Sequence, residues 1–289
     1  MKVIIYEDTR AFRARTLDSF LQQEAFNGLI LGLTENVMVH PERYAPDVLR
    51  AAVENASGEL VLAALMTPPH NLILHAAQEE GLGEAQEALA DALQSAGRQV
   101  PGVNGPAQLS GAFARLWAQR TGQTAALAMH ERVYELRRVV PPPQPPSGCM
   151  RLAQEAEIEF LADWSQAFEV EAIGAARDWE DLLRRTRFRI EDGSLFVWEA
   201  EGQPVSMTAT TRPTRSGITI GVVYTPSAQR RRGYASALVA AVSQRMLDSG
   251  RQFCTLFTDL SNPTSNAIYQ QIGYVPVGDF DEYRFSPAA

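Results

Sequence analysis

Between residues 157 and 173, in EIEFLADWSQAFEVEAI, apolar side chains return at Ile158, Leu161, Trp164 and Phe168, the spacing of one helix face. DWEDLLRRTRFRIEDG predicts a second helix that ends before Gly193. The period then changes. SLFVWEAEGQPVSMTATT and GITIGVVYT are β-rich runs, the first broken by a hairpin turn at Glu201–Gly202. YASALVAAVSQRMLDSG returns to helical spacing, with Gly250 just past its end. FCTLFTDL reads as a buried strand, TSNAIYQQIG as a helix stopped at Gly273, and YVPVGDFDEYRF as a final strand pair. With MRLA (150–153) as a short opening strand, the order is β-α-α-β-β-β-α-β-α-β-β around one central sheet.

The first half carries a weaker version of the same ending. GELVLAALMTP and HNLILH predict strands, and EAQEALADALQSAG and GPAQLSGAFARLWAQRTG predict helices. AALAMHERVYELRRV closes as a β segment, and aligning Gly122 with Gly273 sets MHERVYEL against GDFDEYRF. Between the halves, VVPPPQPPSG holds Pro141, Pro142, Pro143, Pro145 and Pro146, which stiffen the chain and remove backbone donors. The expected organisation is a duplicated fold: one domain over 1–140, a Pro-rich linker over 141–148 and a second domain over 149–289.

Composition narrows the function. The chain has 289 residues, an ordinary 45% apolar content and a net charge of −8. Both halves are net acidic, which argues against general affinity for DNA or RNA, because such binding neutralises phosphates. Cys149 and Cys254 imply no disulfide framework, and a reducing compartment fits them. MKVIIYEDTRAF does not read as a signal peptide, and no apolar run approaches a membrane span. The expectation is a cytoplasmic protein, monomer or homodimer, with no nucleic-acid or membrane partner. His40, His70, His75 and His130 show no ligand spacing, so no metal is expected.

Against that acidic background, QRRRGYASAL (229–238) stands out. It joins the strand GITIGVVYT, through Pro226, to the helix YASALVAAV. A helix N-terminus offers unpaired N–H groups and a partial positive charge. Gly233 and Ala235 leave the backbone open, Arg230, Arg231 and Arg232 add charge at the rim, and the Ser236 hydroxyl can donate. A phosphorylated cofactor fits this turn, and so does a basic, solvent-facing helix cap. In LSNPTSNAIYQQIGY (260–274), Asn262 leaves a strand, and Asn266 and Tyr269 lie near one helix face. These residues suit either a ligand between the strand ends or a loop cap and packing.

Together the two stretches resemble the GNAT superfamily of acyl-CoA-dependent N-acyltransferases. VVYTPSAQRRRGYASALV is similar to motif A, with Arg230, Gly233 and Ala235 on its Q/R-x-x-G-x-G/A pattern, and NPTSNAIYQQIGY to motif B. The likeness covers about residues 150–286. It implies an α/β (α+β) protein of two GNAT-like domains, each a mixed, mostly antiparallel central sheet flanked by helices. It implies acetyl-CoA as co-substrate, its pyrophosphate on the amides of Arg231, Arg232, Gly233, Tyr234, Ala235 and Ser236. Strand 218–225 would splay from strand 253–259, and the main chain at Val223 and Thr225 would pair with the pantetheine arm. Asn262 and Asn266 match polar positions that contact CoA, and Tyr269 matches the general acid. The first half has acidic residues in AAQEEGLGEAQEAL where arginines belong, and Ala118 opposite Tyr269. The chain thus resembles a tandem GNAT protein with a degenerate first half.

The implied reaction moves an acetyl group directly to a small-molecule or peptide amine. The strand before the turn has no carboxylate to act as base. Glu169, Glu171, Asp259 and a water relay remain open for that role. Two other classes stay in view: an acyl-CoA-binding sensor without turnover, and a nucleic-acid-associated protein.

Overall fold

The structure is a computed structural model that describes residues 1–174 and 176–288. The first half forms β1 (Lys2–Ile5), α1 (Thr9–Gln22), α2 (Gly28–Val39), β2 (Leu49–Glu54), β3 (Leu60–Met66), β4 (Leu72–Ala76), α3 (Leu82–Ser95), β5 (Gly102–Pro106), α4 (Ala107–Thr121) and β6 (Gln123–Leu136). The second half repeats that order with β7 (Cys149–Leu152), α5 (Ile158–Ile173), α6 (Trp179–Glu191), β8 (Leu195–Ala200), β9 (Gln203–Thr211), β10 (Gly217–Tyr224), α7 (Tyr234–Asp248), β11 (Phe253–Asp259), α8 (Pro263–Gln271) and β12 (Val275–Pro287). The duplication therefore extends to β1, α1, α2, β2 and β5, which periodicity had left unmarked.

The chain packs into two compact units, and neither is one continuous stretch. The first holds Met1–Val133, Phe257–Asn262 and the chain from Pro276 onward. The second holds Tyr134–Leu256 and Pro263–Val275. Within the first unit the strand order is β1-β2-β3-β4-β5, followed by β12 and β6. β12 runs antiparallel to β5, from Phe280 opposite Pro106 to Arg284 opposite Gly102. The last strand of the chain thus completes the sheet of the first unit. The second unit has the order β11-β10-β9-β8-β7 and takes Tyr134–Leu136 from the end of β6.

YVPVGDFDEYRF, expected as a strand pair, is a single strand. Gly278 is not a turn residue. A Cβ there would lie 2.3 Å from the ring of Phe26, so the position is small because an aromatic ring crosses the strand. That ring packs edge-on against Phe280 with centroids 5.0 Å apart.

Helices cover both faces of each sheet. β3 is buried at all seven positions, which is why LVLAALM reads as a continuous apolar run. In the first unit, Leu89, Leu93, Phe113 and Trp117 of α3 and α4 close one face. Phe12, Phe20, Ile30 and Leu31 of α1 and α2 close the other, against Ala63, Leu65 and Ile73. In the second unit, α7 and α8 pack on one face through Leu238, Val242, Tyr269 and Ile272. α5 packs on the opposite face through Leu161 and Trp164. No helix among the described residues is long and apolar enough to cross a membrane.

One buried polar group ties the first unit together. Asn27 Nδ2 donates to the Phe20 carbonyl at 3.0 Å, which turns its Oδ1 toward His75 Nδ1, 3.1 Å away. The ring proton therefore sits on Nδ1, and Nε2 accepts from the Ser19 hydroxyl at 2.8 Å. Burial lowers the His75 pKa to about 4. The unfolded chain, with an ordinary imidazole, binds the extra proton between pH 6.5 and 4 while the folded chain does not. His75 thus contributes stability in full above pH 6.5, and that stability is lost as pH falls toward 4. The expected loss is about 3 kcal/mol at 1.36 kcal/mol per pKa unit. Urea unfolding of the parent and of His75→Gln at pH 7 and pH 4 measures it. A variant that loses as much stability as the parent over this range would refute the assignment.

Candidate functional site

β10 is the irregular element of the second unit. Its parallel ladder to β11 runs through Gly217–Phe253, Ile218–Cys254 and Thr219–Thr255, and β10 then continues to Tyr224 without further register to β11. On its other side, β10 pairs with β9 up to Gly221–Ala209, then shifts register and resumes at Tyr224–Met207. The shift is a β-bulge, with Val222 at φ +53. That conformation is costly for a β-branched residue and persists only where surrounding contacts enforce it.

The bulge changes the phase of the strand. Ile218 and Ile220 face the α7 side, but Val222 and Tyr224 face the α5 side, and Val223 takes the α7 side. Strict alternation would have kept 218, 220, 222 and 224 together. Hydroxyls from β9 satisfy the carbonyls that the bulge frees. Thr208 Oγ1 donates to the Gly221 carbonyl at 3.0 Å, and Ser206 Oγ to the Tyr224 carbonyl at 3.1 Å. Ser206 and Thr208 are both fully buried. Their alternation in VSMTATT was visible in the sequence, but its purpose depends on the bulge opposite.

After β10 the chain turns through Pro226 to Gly233. Arg231 (φ +63) and Gly233 (φ +80) are both left-handed, and Gly233 is the N-cap of α7 without a side-chain capping bond. The first amides of α7 thus have no side-chain acceptor at the cap. A Cβ at Gly233 would meet Pro146 at an ordinary 3.7 Å, so the backbone angle, and not crowding, calls for glycine. Tyr234 is buried, Ala235 and Ser236 are half-buried, and Arg231 and Arg232 are exposed. Arg230 is otherwise occupied. Its Nε donates to the Thr225 carbonyl at 2.8 Å, Nη2 pairs with Glu171 at 2.6 Å, and the guanidinium lies 5.7 Å from the Tyr224 ring centroid. The Thr225 hydroxyl meets Ser206 Oγ at 2.8 Å, and Val223 is half-buried.

Tyr269 of α8 is buried, edge-on to Tyr274 at 6.1 Å, and its hydroxyl has no hydrogen-bond partner among the described residues. Burial pushes its pKa up to about 12. Asn266, one turn earlier, accepts at Oδ1 from the Tyr134 hydroxyl at 2.9 Å, and that hydroxyl accepts from Gln270 Nε2 at 2.9 Å. Tyr134, fully buried, therefore anchors α8, a role nothing in HERVYEL announces. Asn262 is exposed in the turn after β11, with its amide on the Asp259 carbonyl at 3.1 Å, in the segment that clusters with the first unit. The three carboxylates considered as base are all engaged. Glu169 pairs with Arg177 at 2.8 Å, Glu171 with Arg230, and Asp259 holds Ser261 at 2.6 Å.

The corresponding elements of the first unit differ. β4 pairs with β3 in unbroken register from Leu62–Ala76 to Leu65–Ile73. β4 pairs in parallel with β5 through Leu72–Val103 and Ile73–Asn104, and the two are still close at Gly105, where a Cβ would lie 3.0 Å from the Leu74 carbonyl oxygen. Gly81 caps α3 at φ +73 much as Gly233 caps α7, but Met1 Cε lies over it, 2.5 Å from where a Cβ would be.

Comparison with known proteins bears on both halves. Residues 154–274 match the model of the acetyltransferase (GNAT) family. Curated proteins offer no match. Among solved structures, a GCN5-related N-acetyltransferase from Sphaerobacter thermophilus is 20% identical with a TM-score of 0.63, over 98% of this chain and 95% of that one. A GNAT-family acetyltransferase from Colwellia psychrerythraea is 14% identical with a TM-score of 0.56, over 99% and 100%. A tandem GNAT protein from the clavulanic acid biosynthesis pathway is 13% identical with a TM-score of 0.54, over 99% and 98%. The fold of the whole chain is that of two GNAT-like domains.

Thr208→Val tests the support of the bulge. It keeps the shape and removes the donor to Gly221, so unfolding free energy should fall by about 1–2 kcal/mol. Chemical denaturation measures this, and an unchanged value would show that the Gly221 carbonyl does not depend on Thr208.

Proposed function

We propose, for a chain whose residues 154–274 match the model of the acetyltransferase (GNAT) family, that the second half transfers the acetyl group of acetyl-CoA to an amine and that the first half is a degenerate copy. The observation that carries this reading is the parting of β10 from β11 after Thr219–Thr255, beside a left-handed bulge and just before the Gly233 turn. A strand edge freed from its neighbour supplies unpaired main-chain groups at Val223 for the pantetheine amides. At Thr225 the carbonyl is already held by Arg230, so the remaining main-chain group there is the amide. The pyrophosphate then meets the amides of Arg231 to Ser236, with Arg231 and Arg232 at the rim. Arg230 shapes the turn instead of meeting the phosphate. The proposed division remains 1–140 for the degenerate domain, 141–148 for the linker and 149–289 for the catalytic domain.

In the reaction, the amine nitrogen attacks the thioester carbon, the carbon–sulfur bond breaks, and the amine proton leaves to a base or to water. A backbone N–H near Val223 stabilises the developing oxyanion. Tyr269 protonates the departing thiolate and regains a proton from solvent. Its raised pKa keeps it protonated through the physiological range. The acceptor is a small-molecule or peptide amine, and the chemistry calls for no metal.

Calorimetry should give one acetyl-CoA site per chain, because among the described residues the second half has the bulged strand and an uncovered turn, whereas β4 keeps unbroken register with β3 and Met1 lies over the cap of α3. Gly233→Ala, which fits the space but strains φ +80, should cost about 1–2 kcal/mol of stability. Gly233→Glu should in addition weaken CoA binding by several kcal/mol, by adding bulk and charge at the pyrophosphate. Two equivalent sites, or near-normal affinity in folded Gly233→Glu, would relocate the site.

Tyr269→Phe keeps the ring and removes the donor. Acetyl transfer should fall by about 10²–10⁴-fold with CoA affinity nearly unchanged. In the parent, no alkaline loss of rate assignable to this phenol should occur below about pH 11, given its pKa near 12. Full turnover in the variant would leave Tyr269 as packing. Tight CoA binding by a parent that acetylates no amine would favour the sensor.

A further inference from the structure

Three hydroxyls inside helices bond back to their own backbone. Thr16 donates to the Phe12 carbonyl at 2.9 Å, Thr34 to Ile30 at 2.7 Å and Ser165 to Leu161 at 2.9 Å. That is the ordinary choice for a hydroxyl with a carbonyl one turn earlier. Ser19 of α1 departs from it. Its Oγ lies 2.8 Å from Nε2 of His75, 56 residues along the chain on β4. The other ring nitrogen, Nδ1, lies 3.1 Å from Oδ1 of Asn27. Serine, imidazole and amide thus stand in line, all within the first unit.

Their roles follow from the outer member. Asn27 Nδ2 is spent on the Phe20 carbonyl at 3.0 Å, so its oxygen faces Nδ1 and the ring proton sits there. Nε2 is left with its lone pair toward Ser19, whose O–H donates. This is the arrangement in which a base readies a hydroxyl for attack and a third group orients the base. The imidazole is fixed in it. The Phe20 ring stands edge-on at 4.8 Å, and His75 and Asn27 are only 5% and 4% exposed. Burial keeps the ring neutral through the physiological range, so the lone pair is present. Ser19 is half-buried, between exposed Asp18 and buried Phe20, at the rim of the covered face of α1. The base is enclosed and the nucleophile borders solvent.

We propose that the first unit carries a serine esterase site, with Ser19 as nucleophile, His75 as general base and Asn27 as the positioning residue. It does not rest on acetyl transfer by the second half. Ser19 Oγ attacks the carbonyl carbon of an ester while its proton passes to His75 Nε2. The ester carbon–oxygen bond breaks, and that proton leaves with the alcohol. Water then attacks the acyl-serine, one of its protons returns to Ser19 Oγ through Nε2, and the carboxylic acid departs. Asn27 supports the developing imidazolium through a dipole, where a carboxylate would supply a full charge. The donor must therefore bring a good leaving group, and the class this site takes is the activated ester, such as an aryl ester.

The test exposes the full chain to p-nitrophenyl acetate and, separately, to a fluorophosphonate. Intact mass, the modified peptide and p-nitrophenol release are followed. Ser57 is the internal control, an exposed serine whose hydroxyl meets Asn55 and Glu59 and no imidazole. The parent should form one adduct, at Ser19, at least about 100-fold faster than any at Ser57. Ser19→Ala should lose the adduct. His75→Gln leaves the hydroxyl in place without its base, so acylation of Ser19 should slow by about 10²–10⁴-fold. A merely structural contact would leave both rates alike. Modification of Ser19 no faster than that of Ser57 in the parent overturns the proposal, whether or not His75→Gln folds. An unchanged rate at Ser19 in folded His75→Gln overturns it as well.

Discussion

The left-handed bulge at Val222 is the constraint on which the second unit turns. A strand held on both sides by neighbours has no main-chain groups to offer a ligand. β10 keeps its parallel partner for three residue pairs and then loses it. The bulge makes this tolerable in two ways. It reverses the facing of Val222 and Tyr224, so that the strand stays packed against α5 while its edge opens. It also places the freed carbonyls of Gly221 and Tyr224 beneath the buried hydroxyls of Thr208 and Ser206. The strain at one β-branched residue is thus held by hydrogen bonds from the next strand.

The first unit shows the same architecture without that constraint. β4 has unbroken register with β3, Gly105 brings β5 close to Leu74, and Met1 lies over the cap of α3. In place of an open edge, the sheet holds His75 between Ser19 and Asn27, a polar core contact that joins strand to helices. The ten-element order is common to both halves, so the structural contrast lies in one strand and one turn. The first unit in turn receives its closing strand from the far end of the chain.

Charge is also managed locally. The chain is net −8, yet three consecutive arginines stand at the turn before α7. At the turn, Arg230 is spent on Glu171 and Thr225, which leaves Arg231 and Arg232 facing solvent. A sequence motif treats the three consecutive arginines alike, whereas their surroundings divide one bracing contact from two free charges.

Much of this was legible beforehand. Apolar spacing marked the helices and strands of the second half, because burying one face imposes a period that composition must follow. The glycine-capped turn before α7 was visible because it depends on contiguous residues: a strand, a glycine able to adopt positive φ, and a helix start. The weak echo of GDFDEYRF in MHERVYEL marked the duplication. What the sequence could not decide were matters of partnership across distance. Nothing in YVPVGDFDEYRF says that it pairs with β5 as one strand, since Gly278 reads as a turn until Phe26 is seen crossing it. Nothing in VVYT says that Val222 adopts φ +53, because β-branched residues do so only under compulsion from neighbours. Tyr134 bonding Asn266 and Arg230 turning to Glu171 each join positions tens of residues apart or more. Local propensity determines which elements form, but only tertiary packing decides which groups are left unpaired, and those are the groups available for chemistry.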